Sequence, residues 1–410
     1  MKSTGIQQRV LRGSLLASLS LLAILMVANL AAAQGTFTMH SDLAYVNDGN
    51  PAHTLDLYIP DGATGPIPLI VWIHGGGWQS GDKSLAPNGS QLRYARNGYA
   101  VASLNYRLSG EAIFPAQIHD CKAAIRWLRA NAAQYNLDVS RFGSWGSSAG
   151  GHLAALVGTS NDVVDMEGTV GSNLTFSSRV QATVDWFGPT NLLLMDTQLK
   201  AQAGCGNGNH DAANSPESLL IGCPIQTCPA AVQRANPMTY FTIDDPPFFI
   251  EHGTADCTVP TGQSQIFQNL LQSFGHDSSI TLIATAGHGG PLFMTESNML
   301  LVDAFWEAKL RQPVNPLVST VQISYKNAAV NSFRPSSLGA LYRIKLTGLN
   351  LQSDSKVLIN GAERGVATTG ANEVTVNGLP GRIPAAGEVT VQLRNANGRY
   401  SNVMRVAISP

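Results

Sequence analysis

The densest chemical signal in the sequence is Gly146-Ser147-Ser148-Ala149-Gly150, a G-x-S-x-G run between a short apolar segment (141–145) and a small-residue helical segment (151–158). A serine hydroxyl is a weak nucleophile until a neighbouring base takes its proton. A sharp strand-to-helix turn pushes the central hydroxyl outward, flanking glycines relieve the crowding, and the helix N-terminus favours developing negative charge. Ser148 is therefore the candidate nucleophile. A second run, His74-Gly75-Gly76-Gly77-Trp78, directly follows the apolar stretch LIVWI. Glycines at a strand end leave backbone N–H groups unobstructed, so they can point at the oxyanion of a tetrahedral intermediate together with the N–H of Ala149. An ordinary Gly-rich turn is the alternative reading, and the coincidence with the serine run argues against it.

The serine needs a base, and the base needs an acid to orient it. When the nucleophile sits on such a turn, the chain order is serine, acid, histidine, the last two on loops after late strands. Asp256 follows the segment PFFIEHG, and His288 follows the next apolar segment, in Ala286-Gly287-His288-Gly289-Gly290. Other candidates fit less well. His252 lies in the strand body and reads as structural. His152 lies inside the helix after the serine and points away. His119 and His276 read as surface residues, and Asp244 and Asp245 precede their strand at the wrong edge. No H-E-x-x-H, phosphate-binding loop or dinucleotide G-x-G-x-x-G in a strand–helix context competes, so no metal and no cofactor are expected.

These residues must be held by strands and helices in alternation. Segments 55–59, 69–73, 99–104, 141–145, 180–187, 247–251 and 280–284 read as strands, with long amphipathic helices at 117–133 and 297–310. Continuous apolar strands alternating with helices predict an α/β fold with a mostly parallel sheet covered on both faces. Residues 188–245 are too long for a simple crossover and predict a lid over the sheet's active edge. After Pro313 the helical pattern stops. Short alternating segments separated by turns such as Asn360-Gly361 and Asn397-Gly398 predict a small all-β sandwich at 317–410, joined by a linker at 312–316.

The N-terminus carries Lys2, Arg9 and Arg12, then an apolar run, then Ala31-Ala32-Ala33, which together read as a signal peptide over 1–33. A membrane anchor is the alternative, and the short apolar run argues against it. Of 26 Lys+Arg, these three leave 23 against 27 Asp+Glu, a net charge of −4 from residue 34 onward. So mild a charge argues against nucleic acid or an anionic membrane as partner. Export permits disulfides, and five cysteines leave at least one thiol unpaired within the chain. Cys121 shares a helical stripe with Ile118, Ile125 and Leu128 and is expected to be the buried free thiol. Cys205, Cys223, Cys228 and Cys257 allow three connectivities, among which the sequence does not choose. Zinc is the rival reading, and CPIQTC has poor ligand spacing for it.

The segments HTLDLYIP, PLIVWIHGGGW, LNYRL, DCKAAIRWLRANA, RFGSWGSSAGGHLAAL, VDWFGPTNLL, DDPPFFIEHGTADCTVP and AGHGG resemble α/β-hydrolase carboxylesterases of the bifunctional feruloyl and acetyl-xylan esterase type. They are similar also to hormone-sensitive-lipase-like enzymes and arylformamidases. The resemblance implies Ser148 as nucleophile, Asp256 as acid, His288 as base, and Gly76, Gly77 and Ala149 as oxyanion hole. Such enzymes often carry Asp where Ser147 stands, a position outside the triad. Lipase-like relatives carry a helical N-terminal cap, for which the chain between residue 34 and the first strand is too short. An accessible site and an esterase are therefore expected. The tail is similar to IPT/TIG-type immunoglobulin-like modules.

The expectation is a secreted or periplasmic serine carboxylesterase acting on small-molecule or polymer-linked esters, acetyl or feruloyl esters of plant polysaccharides among them. Trp78 and Trp186 are candidate pocket residues, with packing beside the serine turn as the alternative for both. The C-terminal module would supply a polysaccharide or surface contact, or act as a spacer. Two other functions compete: an exopeptidase of the prolyl-oligopeptidase kind, whose usual propeller domain has no room here, and a binding protein on an inactive scaffold.

Overall fold

The computed structural model describes residues 35–311 and, beyond them, strands between residues 317 and 408. The expected signal peptide (1–33) and linker (312–316) lie outside the described residues.

Eight strands form one sheet: β1 (Phe37–Ala44), β2 (Thr54–Pro60), β3 (Ile67–Ile73), β4 (Ala100–Leu104), β5 (Leu137–Ser147), β6 (Ala182–Trp186), β7 (Phe248–Gly253) and β8 (Ser278–Ile283), in the order β1-β2-β4-β3-β5-β6-β7-β8. β2 pairs antiparallel with β1 and β4, and every pairing from β4 to β8 is parallel. Outside the insert between β6 and β7, five helices of seven residues or more follow the chain among the described residues: α1 (Ser90–Arg96), α2 (Ala116–Ala130), α3 (Ala149–Thr159), α4 (Gly262–Ser273) and α5 (Glu296–Trp306).

Every residue of β3 is buried, as a central parallel strand covered on both faces requires. Its side chains alternate between two cores. Leu69, Val71 and Ile73 pack with residues of α2 and α3. Ile70 and Trp72 pack with residues of α1 and α5. On α2, Ile118, Cys121, Ile125 and Leu128 are fully buried, so the three-and-four spacing seen in the sequence is the helix's core stripe. Each large aliphatic side chain so buried contributes about 1.5–3 kcal/mol.

Three elements carry little sequence signal. β1 is an edge strand with most residues exposed or half-buried, which removes apolar alternation. α1 is rich in Arg, Gln and Ser, and α4 in Gln and Ser. The insert between β6 and β7 folds as short helices, Met195–Ala201, Pro216–Ile221 and Pro229–Arg234, joined by turns. Beyond residue 316, eight strands pair into two four-stranded antiparallel sheets. Most of the connections and side chains that would define an immunoglobulin-like sandwich lie outside the described residues.

Candidate active site

The parallel strands deliver their C-terminal ends to one edge, where ligands of α/β sheets characteristically bind. β3 ends before His74-Gly75-Gly76-Gly77-Trp78, β5 before Ser148, β6 before Phe187, β7 before the turn holding Asp256, and β8 before the loop holding His288. A cavity of about 520 Å³ opens there, lined by residues from all five strand ends and from the insert.

Ser148 adopts φ 56°, ψ −124°, a left-handed backbone that is strained for a non-glycine residue. The surroundings hold it there. Its N–H donates to Trp186 O at 2.9 Å, and its carbonyl accepts from His152 N–H in the first turn of α3. A Cβ on Gly150 would collide with Ile73 O, so only glycine lets α3 start this close to β3.

The hydroxyl of Ser148 lies 2.8 Å from His288 Nε2, and His288 Nδ1 lies 2.7 Å from Asp256 Oδ2. Asp256 is fully buried, and its Oδ1 accepts the N–H groups of Thr258 and Val259 at 2.8 and 2.9 Å. Burial pushes the Asp256 carboxyl up, but the hydrogen bonds from His252 and His288 outweigh it and hold it well below the ordinary carboxylate range. An ionised Asp256 offers no proton, so Nδ1 of His288 donates to it. Nε2 is left to accept from the serine hydroxyl.

His252 has a supporting place. Its Nδ1 meets Ser264 Oγ at 2.7 Å, and its Nε2 meets Val259 O at 2.8 Å and Asp256 Oδ2 at 3.3 Å. It therefore braces the acid turn from below, fully buried. His152 is fully buried, with Nε2 donating to Ala235 O. His276 differs from the surface residue that its sequence context suggests. It is buried, packs against Phe241 and Phe248, and donates to Asp245 O, because the turn after α4 folds back under β7.

Gly76 and Gly77 have φ 108° and 59°, and a Cβ on Gly76 would collide with Ser80 O. Among the described residues, no acceptor takes the N–H groups of Gly76, Gly77 or Ala149. All three of these residues line the cavity beside Ser148. His74 fixes the turn's entry: its ring stacks on Tyr106 at 4.4 Å, and Tyr106 Oη donates to its carbonyl at 3.0 Å.

The two tryptophans divide. Trp78 contributes to the cavity lining, but its ring is 2 % exposed and packs edge-on against His152. Trp186 does not line the cavity: it is 1 % exposed and packs between Trp145 and Phe293. The reason is strand parity. Trp186 is the last residue of β6 and turns into the core, and Phe187 after it turns toward the site, its ring 4.8 Å from that of His288. Phe187 could have been found from the rule that residues just past parallel strand ends line the site.

The insert closes one side with Pro189, His210, Pro216 and Glu217. It is fastened to the acid turn by the Cys205–Cys257 disulfide and by Gln202, which donates to Asp256 O and accepts from Thr261 N–H. A second disulfide joins Cys223 to Cys228, and Cys121 is the free, buried thiol.

This arrangement is an α/β-hydrolase fold with a Ser–His–Asp constellation at the sheet's C-terminal edge. Residues 55–271, over half of the chain, match the BD-FAE family model, and the chain belongs to that family. Esterase LipC of Mycobacterium tuberculosis is 30 % identical over 244 residues, 58 % of this chain and 57 % of that protein. Esterase LipQ of the same organism is 29 % identical over 268 residues, 64 % of this chain and 60 % of that protein. The chain thus spans less than two thirds of these relatives' length. Among solved structures, the truncated form of a carbohydrate esterase from gut microbiota is 34 % identical with a TM-score of 0.62, covering 68 % of this chain and 99 % of that one. A bifunctional GH43-CE from Bacteroides eggerthii is 36 % identical with a TM-score of 0.59, over 66 % of this chain and 35 % of that one.

Proposed function

We propose that the protein is an exported serine carboxylesterase that hydrolyses short acyl, acetyl or feruloyl esters of plant polysaccharides. The observation that carries the reading is the unbroken chain from Ser148 Oγ through His288 to the buried Asp256. Ser148 Oγ attacks the ester carbonyl as His288 Nε2 takes its proton, and Asp256 steadies the imidazolium. The N–H groups of Gly76, Gly77 and Ala149 receive the oxyanion. The tetrahedral intermediate collapses, His288 returns the proton to the leaving alcohol, and an acyl-enzyme remains. Water then enters on the same path, and the acid leaves.

The substrate class draws on the carbohydrate esterase among the similar structures and on a cavity open enough for a bulky alcohol. Export draws on the N-terminal pattern and fits two disulfides. Among the described residues, no helix is long and apolar enough to cross a membrane. The lid reading of residues 188–245 draws on the insert residues that line the cavity. The immunoglobulin-like reading of 317–410 draws on the two four-stranded sheets, and we assign this part a polymer-contact or spacer role.

The test is hydrolysis of p-nitrophenyl acetate, butyrate and decanoate, methyl ferulate and acetylated xylan by the wild type and by Ser148→Ala. Activity that favours short chains and vanishes in the variant is expected. A folded wild type inactive on all five substrates would overturn the reading in favour of amide substrates or a binding scaffold.

A further inference from the structure

The proposed hydrolysis uses one histidine–carboxylate pair, but the cavity is lined by two. His210 and Glu217, both from the insert, line it together with the Gly75–Trp78 turn and His288. His210 Nδ1 and Glu217 Oε1 are 2.9 Å apart. The pair is built in rather than loosely draped. The N–H groups of His210 and Asp211 donate to the Asp196 carboxylate at 2.9 and 3.0 Å. Ser215 Oγ caps the helix that starts at Pro216, accepting from Ser218 N–H. Pro216 abuts Gly77, so this helix end sits directly against the turn that presents the backbone donors.

Three properties separate this pair from the triad. No serine, threonine or cysteine side chain is bonded to His210 among the described residues, so the pair activates no nucleophile of its own. Burial pushes the His210 imidazolium down, but Glu217 and the nearby Asp196 outweigh it and raise its pKa, which favours the charged form beside the carboxylate. Most telling is the second carboxylate oxygen. Glu217 is 4 % exposed, and its Oε2 has no hydrogen-bond partner among the described residues. A buried acceptor without a donor is unfavourable, and on a residue that lines the cavity a ligand hydroxyl is a donor that can supply the missing partner.

We propose that Glu217, positioned by His210, is a specificity-determining acceptor that takes a substrate hydroxyl remote from the ester bond. The site then favours hydroxyl-bearing esters over esters of plain alkyl or aryl groups. A site built to hydrogen-bond a hydroxyl discriminates strongly against analogues that lack it. The hydroxyl has two sources, a sugar ring on the alcohol side or a phenol on the acyl side. The inference rests on the ester-hydrolase reading given above.

The experiment compares kcat/KM on three probes: acetylated xylo-oligosaccharides (sugar hydroxyls, plain acyl group), methyl ferulate (phenol hydroxyl, plain alcohol) and p-nitrophenyl acetate (neither). Glu217→Leu is expected to lower kcat/KM on a hydroxyl-bearing probe about tenfold more than on p-nitrophenyl acetate, chiefly through KM, since hydrogen bonds to charged groups are the stronger class. Glu217→Gln keeps an acceptor oxygen and is expected to recover part of the loss. Loss on the oligosaccharides assigns the alcohol side, and loss on methyl ferulate assigns the acyl side. The wild type answers the same question from the substrate side, with no dependence on the variants' folding. Methyl dimethoxycinnamate in place of methyl ferulate, or cyclohexyl acetate in place of the acetylated sugar, is expected to be turned over about tenfold less efficiently. Equal losses on all three probes, with no preference of the wild type for either hydroxyl-bearing partner, overturn the proposal and leave the esterase intact. A wild type inactive on every probe overturns the esterase reading instead.

Discussion

The cavity has two walls of different origin, and each carries a histidine–carboxylate pair. On the sheet-built wall, Asp256 is bonded through both oxygens, and the imidazole it orients meets a serine hydroxyl at 2.8 Å. On the insert-built wall, Glu217 is bonded through one oxygen only among the described residues, and its imidazole meets no hydroxyl side chain among them. The side-chain chemistry is nearly the same, and the positions are not. Parallel strand ends hold Ser148, His288 and Asp256 in one hydrogen-bonded series, as acyl transfer in the proposed mechanism requires. Short helices joined by turns set the cavity's outline and polarity, which selectivity requires. A histidine–carboxylate pair is thus no sign of catalysis until its second ring nitrogen is accounted for.

The sharpest test of this division is removal of each pair. Ser148→Ala, His288→Ala or Asp256→Asn is expected to lower kcat by ~10⁴-fold or more in steady-state ester hydrolysis. Changes at Glu217 should act mainly on KM. A loss at Glu217 as deep as that at Asp256 would break the comparison.

The tie between the walls comes next. Cys205–Cys257 closes a 52-residue separation and Cys223–Cys228 one of 5 residues. Loop-closure entropy then predicts losses of about 4 and about 2 kcal/mol for the paired serine substitutions, read from denaturant unfolding. The first should also raise KM, because it releases the insert from the acid turn. Equal effects of the two would show that the loop-length ranking fails here. Gly76→Ala places a Cβ against Ser80 O on a left-handed backbone and disturbs the donors around it. A drop in kcat of about 10²-fold is expected, with little change in KM for small esters.

A separate effect is on stability against pH and probes the sheet-built wall's interior. Glu251 on β7 is fully buried, and burial raises its pKa to about 8 despite a hydrogen bond from Asn298. The folded state therefore keeps a proton that the unfolded chain releases at its ordinary 4.5. Its contribution is complete below that value and is lost as pH rises toward 8, with a slope of up to about 1.4 kcal/mol per pH unit. Glu251→Gln should flatten the fall in unfolding free energy between pH 5 and 8. An unchanged slope would mean that Glu251 is ionised in the folded protein.

What the sequence disclosed follows the same division. Gly146-x-Ser148-x-Gly150 and the run from His74 to Trp78 were legible because the constraint is local: glycines where backbone must pass close, at the ends of apolar strands. The placement of Asp256 and His288 together was legible from chain order, since the parallel topology brings the C-terminal ends of β7 and β8 to the same edge of the sheet as that of β5. Trp186 and Phe187 could not be separated, because the last residue of a strand and the one after it face opposite ways, and the strand end is uncertain by one residue. His210 and Glu217 carried no signal, since the insert has no period and its turns are set by Asp196 and two disulfides. Their pairing was hidden too, because Cys205 and Cys257 meet only once the insert has folded back on the acid turn.

Cys121 gives the fold an order of events. Its thiol lies in the innermost stripe of α2 and is fully buried in the native protein, whereas the four paired cysteines belong to the insert and the acid turn. In an oxidising compartment an unfolded chain exposes all five thiols to competition, and an odd one that is oxidised first leaves a partner stranded. Docking of α2 on the sheet withdraws that thiol from the competition, so correct pairing is expected to depend on whether the core assembles before the outer pairs are oxidised. Cys121→Ala or →Ser should therefore change the yield of correctly bridged protein during oxidative refolding far more than it changes the finished site.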